Sequence, residues 1–250
     1  MKIVIPEINN STIREAITHF PDVEFFSAPD LDSAATFVAN GQVDSLVSGL
    51  DFPSRDVLLA CKAHIPLSSQ FFSSCFVCKK GDQRLIIADG GVNKLPTADQ
   101  LYTIVEDTAK TYETYFNDTP RIAMLSYSTK GSGGKNPDLE KIYFVIDEIR
   151  KNHPAWLIDG EMQLDAATSP EVGEKKIPGS PVAGHANILI APDLNSGNIL
   201  YKSMEHLGSW TMAGPILQGF AVPLADLSRG SSVADVVLTI DVIKKLYERK

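Results

Sequence analysis

Short apolar or β-branched runs recur along this chain, and most are followed by ten or so residues of helical spacing. KIVIPE (2–7), VEFFSAP (23–29), DSLVSGL (44–50), RIAMLSYS (121–128), WLIDGEM (156–162) and ANILIAPD (186–193) read as strands. Between them lie STIREAITHF (11–20) with Ser11 as its candidate N-cap, LDSAATFVANG closed by Gly41, and DLEKIYFVIDEIRK (138–151). TADQLYTIVEDTAKTYETYF (97–116) sets Leu101, Val105, Ala109 and Tyr112 at helical spacing behind a Thr97/Gln100 capping box. Strands separated by helices of this length predict parallel sheets in an α/β fold. One stretch breaks the rhythm: FFSSCFVCKK and RLIIADGG, joined by Gly81, Asp82 and Gln83, read as a hairpin, where the chain is expected to enter a second domain.

With 250 residues, 44% of them hydrophobic, the chain can bury a core as one large domain or two small ones. The net charge is −8 and Lys and Arg form no run, so neither nucleic acid nor a membrane is an expected partner. An anionic small ligand would need a local cluster of donors working against that charge. The apolar run in MKIVIPEINN is too short for a signal peptide, and no stretch approaches a membrane span, which makes the cytoplasm the expected compartment. Cys75 and Cys78 form a CxxC, but inside a strand-like run; residues three apart then face opposite ways, as packing groups rather than a redox or zinc pair.

Several common sites fail on spacing. SYSTKGSGGK lacks the first glycine of a Walker A loop, and Asn136 stands both where that loop needs Ser or Thr and where a dinucleotide fingerprint needs its third glycine. Neither GxSxG nor HExxH occurs. The five histidines are scattered, and Asp159, Glu161 and Asp165 read as surface or structural carboxylates, so no metal is expected. Two stretches remain. In SYSTKGSGG (126–134) a strand delivers hydroxyls, Lys130 and glycines to its C-terminal end, either as an anion nest or as a flexible surface loop. In DLSRGSSVAD (226–235), Ser232 and Asp235 can be an N-cap and its N3 partner, while Ser228 and Arg229, one turn earlier, are well placed to clamp an oxyanion or phosphate.

Four segments, in order, resemble the phosphate acetyl/butyryltransferase family: PRIAMLSYSTKGSG, LIDGEMQLDAATSPEV, SPVAGHANILIAPDLNSGNILYK and GPILQGFAVPLADLSRGSS. The resemblance is good over roughly residues 120 to 250 and weak in KIVIPE and VDSLVSG. It implies two α/β domains with a cleft between them, related in architecture to isocitrate and isopropylmalate dehydrogenases. By analogy, residues 1–65 with 215–250 form the first domain and 66–214 the second. It also implies acyl transfer between phosphate and coenzyme A, with acyl phosphate, CoA and orthophosphate as partners, no tightly bound cofactor, and a homodimer.

In the family the catalytic core matches Ser228, Arg229 and Asp235, and the loop Ser128, Thr129, Lys130, Gly131 and Ser132 binds the substrate phosphate. Asp235 would take the thiol proton of CoA and Ser228 would donate to the developing oxyanion. A free aspartate and a free thiol differ by about 4.6 pKa units, roughly 6 kcal/mol for a separate proton transfer. Transfer in concert with attack, or an acid made more basic by burial, is therefore required. The chain departs from the pattern in a shortened first domain, in Ser231 and Ala225 beside the DLSRG stretch, and after VSG, where Arg55 matches a substrate-binding arginine by rough position only. A shortened, catalytically weak paralogue that binds acyl phosphate or CoA as a sensor is the alternative expectation.

Overall fold

The computed structural model describes residues 1–249. In chain order its elements are β1 (Lys2–Val4), α1 (Ser11–Ile17), β2 (Glu24–Phe26), α2 (Leu31–Ala39), β3 (Ser45–Ser48), α3 (Ser54–His64) and β4 (Ser73–Lys80). The hairpin partner β5 (Gln83–Ala88) follows, then α4 (Ala98–Phe116), β6 (Arg121–Leu125), α5 (Pro137–Asn152), β7 (Leu157–Met162), α6 (Leu164–Thr168), α7 (Pro170–Lys176), β8 (Ile188–Ile190) and α8 (Leu194–His206). The chain closes with β9 (Thr211–Gln218), β10 (Leu224–Asp226) and α9 (Val233–Glu248). It divides into two compact units, Met1–Val77 with Ser209–Lys250, and Cys78–Gly208.

In the first unit the strands run β2-β1-β3-β10-β9, with the first half of β4 beside β9. The β1/β2, β1/β3 and β3/β10 pairs are parallel and β10/β9 is antiparallel. Helix α9 packs on β9 and α1. It therefore buries Leu238 and Val242 as well as Val236, Ile240 and Ile243, a wider face than one row of helical spacing suggests. In the second unit the order is β5-β8-β6-β7, all parallel. Its longest helix, α4, starts at the Thr97/Gln100 capping box and buries Leu101, Val105, Ala109 and Tyr112, together with Ile104, Thr108 and Tyr115.

Local details differ from the sequence reading at one cap. Helix α1 is capped by Asn10, whose side chain accepts from the Thr12 N–H, and Ser11 is its first residue. Cys75 and Cys78 are both fully buried on β4. No described helix is long and apolar enough to cross a membrane.

Candidate functional site

In parallel α/β sheets ligand groups gather beyond the C-terminal ends of the strands. In the first unit β3 and β10 lie side by side with Ser48 opposite Asp226, and the Leu227 N–H donates to the Ser48 carbonyl at 2.5 Å. Two segments therefore leave adjacent strand ends: 49–54, leading into α3, and 227–232, leading into α9. Their close approach requires Gly49. Its φ is +122°, and a Cβ there would stand 2.6 Å from Asp226 Oδ1 and closer still to the Leu227 carbonyl. Gly49→Ala is expected to destabilise the protein by about 3 kcal/mol, read as a fall in the urea midpoint, because left-handed strain and backbone collision add. An unchanged midpoint would mean that the two segments are not packed this tightly in solution.

A buried glutamate organises the same place. Glu7 accepts from the Ser48 hydroxyl and from the Gly49 and Leu50 N–H groups, at 2.5 to 3.1 Å. Asp226, 2% exposed, ends β10 beside it. Burial pushes its carboxyl up to about 7; a hydrogen bond from Ser54 at the start of α3 opposes that, and the Glu7 charge adds to it. Asp226 Oδ1 has no hydrogen-bond partner among the described residues.

Ser228, Arg229 and Asp235 of the 226–235 stretch are placed differently. Asp235 is buried and completes a capping box with Ser232. Its Oδ2 accepts from the Ser232 N–H at 2.8 Å and the Ser232 hydroxyl at 2.6 Å, and its Oδ1 from the Met212 N–H at 2.8 Å. The capping role read from the sequence is thus filled, and Oδ1 keeps one lone pair open. Ser228 is half-buried; its oxygen accepts from the Gly230 N–H at 3.4 Å, and its proton has no acceptor among the described residues. Arg229 is exposed and has no hydrogen bond or ion pair among the described residues; the same holds for Arg55, the second residue of α3.

The loop of the second unit, 126–134, is built otherwise than its glycines suggest. The N–H groups of Ser128, Thr129, Lys130, Gly131, Ser132, Gly133 and Gly134 donate in turn to Ser126 Oγ, Ser132 Oγ, the Glu161 carbonyl, Glu161 Oε1, the Thr129 carbonyl, Ser128 Oγ and the Gly131 carbonyl. All seven are spent within the protein, so the loop is not an open anion nest. Ser128, 1% exposed, donates to Glu161 Oε1 at 2.6 Å and accepts from Gly133, with Ser132 Oγ 3.3 Å away; its hydroxyl has nothing left for a ligand. The Thr129 hydroxyl accepts from the Gln163 N–H.

Lys130 pairs with Asp159 Oδ1 at 2.5 Å and donates to the Gly160 carbonyl at 2.9 Å, leaving one ammonium N–H on a side chain that is 40% exposed. Burial works to raise the Asp159 carboxyl, but Lys130, Ser180 and the Gly160 N–H outweigh it and hold it below its usual value. Of the carboxylates read as surface or structural, Asp165 is exposed and pairs with Lys176, whereas Asp159 and Glu161 are buried and hold the candidate loop. Sequence reasoning missed that link; the only signal was their place in a strand run, 30 residues downstream of the loop.

A family model described as phosphate acetyl/butaryl transferase matches residues 10–243. The chain belongs to that family. A phosphate acetyltransferase of Treponema pallidum is 43% identical over 216 residues, covering 82% of this chain and 64% of the relative. The chain thus spans a little under two thirds of the length of such curated relatives. A phosphotransacetylase structure from Streptococcus pyogenes superposes with a TM-score of 0.87 at 29% identity, covering 100% of this chain and 94% of that one. A 4-hydroxythreonine-4-phosphate dehydrogenase from Klebsiella pneumoniae, at 10% identity and a TM-score of 0.57 over 99% of each chain, shares the fold alone. Family membership therefore comes with a dehydrogenase-like α/β architecture.

Proposed function

We propose that the chain is a phosphate acyltransferase that exchanges a short acyl group, acetyl ahead of butyryl, between orthophosphate and coenzyme A. The observation that carries this reading is a family chain whose exposed Arg229 and Arg55, both without a partner among the described residues, follow the adjacent ends of β10 and β3. Net charge −8 repels anions, so an anionic substrate needs local donors, and these two unpaired guanidinium groups supply them. Arg229 grips the phosphoryl oxygens and Arg55 adds a second cation; in the second unit, Lys130 keeps one N–H for a phosphate. Ser228 donates its proton to the oxygen that gains charge as the thiol attacks the acyl carbon.

Asp235 takes the thiol proton on Oδ1, the oxygen with an open lone pair, in concert with attack. The C–S bond forms, the C–O bond to phosphate breaks, and phosphate leaves already matched by cations. Coenzyme A is a substrate in this reading, not a resident cofactor. The reading also expects a cytoplasmic homodimer, the commonest closed assembly.

The test is thioester formation at pH 7–8 from CoA with acetyl or butyryl phosphate, with Asp235→Asn beside the wild type. General-base loss is expected to lower kcat by about 10²-fold or more. The variant's circular dichroism serves as the fold control. Turnover by neither protein with either substrate would sink the proposal, and the favoured acyl phosphate names the substrate.

A further inference from the structure

In β7 the ladder with β6 passes from Met124 opposite Gly160 to Leu125 opposite Met162, so Glu161 is an extra residue at a bulge. Bulges re-aim a side chain and recur beside functional sites. The close approach there needs Gly160, with φ +149°, where a Cβ would stand 2.8 Å from Met124. Glu161 is itself fully buried. Its Oε1 accepts from Ser128 Oγ at 2.6 Å and the Gly131 N–H at 2.8 Å, its carbonyl from the Lys130 N–H at 3.1 Å, and its Oε2 from the Tyr143 hydroxyl of α5. Burial works to raise its carboxyl, but the donors from Ser128, Tyr143 and Gly131 outweigh it and hold the group below its usual value.

A fully buried carboxylate is a costly way to fasten an exposed glycine loop. Its acceptors reach the residues on either side of Lys130 and the N–H of Lys130 itself, while Asp159, two residues earlier on the same strand, takes the ammonium group. The loop folds round a carboxylate supplied by the protein, which fastens Ser128 and Gly131 on the two sides of Lys130, while Asp159 and the Gly160 carbonyl hold its ammonium group.

We propose that Glu161 is a positioning residue for acyl phosphate binding, acting through the 128–132 loop to fix Lys130. This rests on the acyltransferase reading for its substrate, and on the loop geometry alone for its structural half.

The test compares the wild-type chain with Glu161→Ala and Glu161→Gln. In Glu161→Ala the KM for acetyl phosphate is expected to rise about tenfold, with the KM for CoA within about twofold of wild type. Glu161→Gln, whose amide oxygen still accepts from Ser128 and Gly131, should stay within about threefold on both. A merely structural residue would change the amount of active protein and leave both KM values alone. Hydrogen exchange supplies a readout independent of turnover: the amides of 129–133 should lose protection in the alanine variant and keep it in the glutamine variant. Should Glu161→Ala fail to fold, Ser128→Ala, which removes one donor to the carboxylate, must shift KM and exchange in the same directions.

An unmoved KM for acetyl phosphate, parallel changes in both KM values, or loop amides still protected without the carboxylate would overturn the proposal. A wild type without turnover sinks the acyltransferase reading instead, and the exchange comparison then decides whether Glu161 holds the loop.

Discussion

Arg229→Ala is expected to lower kcat/KM for acetyl phosphate by about 10²- to 10³-fold while leaving the melting temperature within about 1–2 °C of wild type. The two halves of that result have one cause. Arg229 is exposed and touches no partner among the described residues, so the folded chain loses nothing when it is removed. A phosphoryl group, by contrast, loses a planar, doubly donating cation; two charge-assisted hydrogen bonds near the lower end of about 1.5–3 kcal/mol each account for the fall. Arg229→Lys should restore little, because an ammonium carries the charge without the paired geometry. Steady-state kinetics with acetyl phosphate varied at saturating CoA reads the effect. A variant as active as wild type would remove the phosphate from this stretch and leave 226–235 as a strand end and a helix cap.

The second large effect concerns stability and pH. Asp226 has a folded-state pKa of about 7 against an ordinary value of 3.8, through burial first and then the Glu7 charge, with the Ser54 hydrogen bond opposing both. Between those two values the native state holds a proton that the unfolded chain has released. Stability contributed by this group is therefore present below about pH 4, falls as pH rises toward 7, and stays lost above it. The full span corresponds to about 4 kcal/mol, from some three pKa units at about 1.4 kcal/mol each.

Asp226→Asn keeps an acceptor for Ser54 and cannot ionise. It should match the wild type near pH 4 and exceed it at pH 8 by up to about 4 kcal/mol in urea unfolding. Two stability curves that stay parallel from pH 4 to 8 would show that Asp226 does not titrate as a buried acid. Because the residue joins β10 to the start of α3, the same variant tests whether an acid is kept there for the placement of Ser228, Arg229 and Arg55. Activity should then fall at pH 8 while stability rises, the opposition expected when a site is held at a cost to the fold.

What could be read along the chain was local. The alternation of strands and helices, the hairpin at residues 81–83, the Thr97/Gln100 box of α4 and the Ser232/Asp235 box of α9 each depend on residues within a few positions of one another. Backbone sterics, capping hydrogen bonds and helical periodicity act over that range, so composition and spacing suffice. The resemblance to a family of acyltransferases was legible for the same reason, in contiguous motifs. The role of Asp235 as a cap could be weighed from sequence; that its Oδ1 also accepts from Met212, 23 residues earlier, could not.

What only the tertiary structure decided was who holds whom. Glycines in 126–134 suggested an open nest, but parallel pairing of β6 with β7 brings Glu161 and Asp159 against the loop and fills it from within. Glu7 and Asp226 are more than 200 residues apart and unremarkable in sequence, yet β1, β3 and β10 bring them to one end of a sheet as a pair of buried acids. Hydrogen bonds and desolvation depend on distance in space. For groups this far apart in the chain, sheet register sets that distance, and register is fixed by how the whole hydrophobic pattern packs.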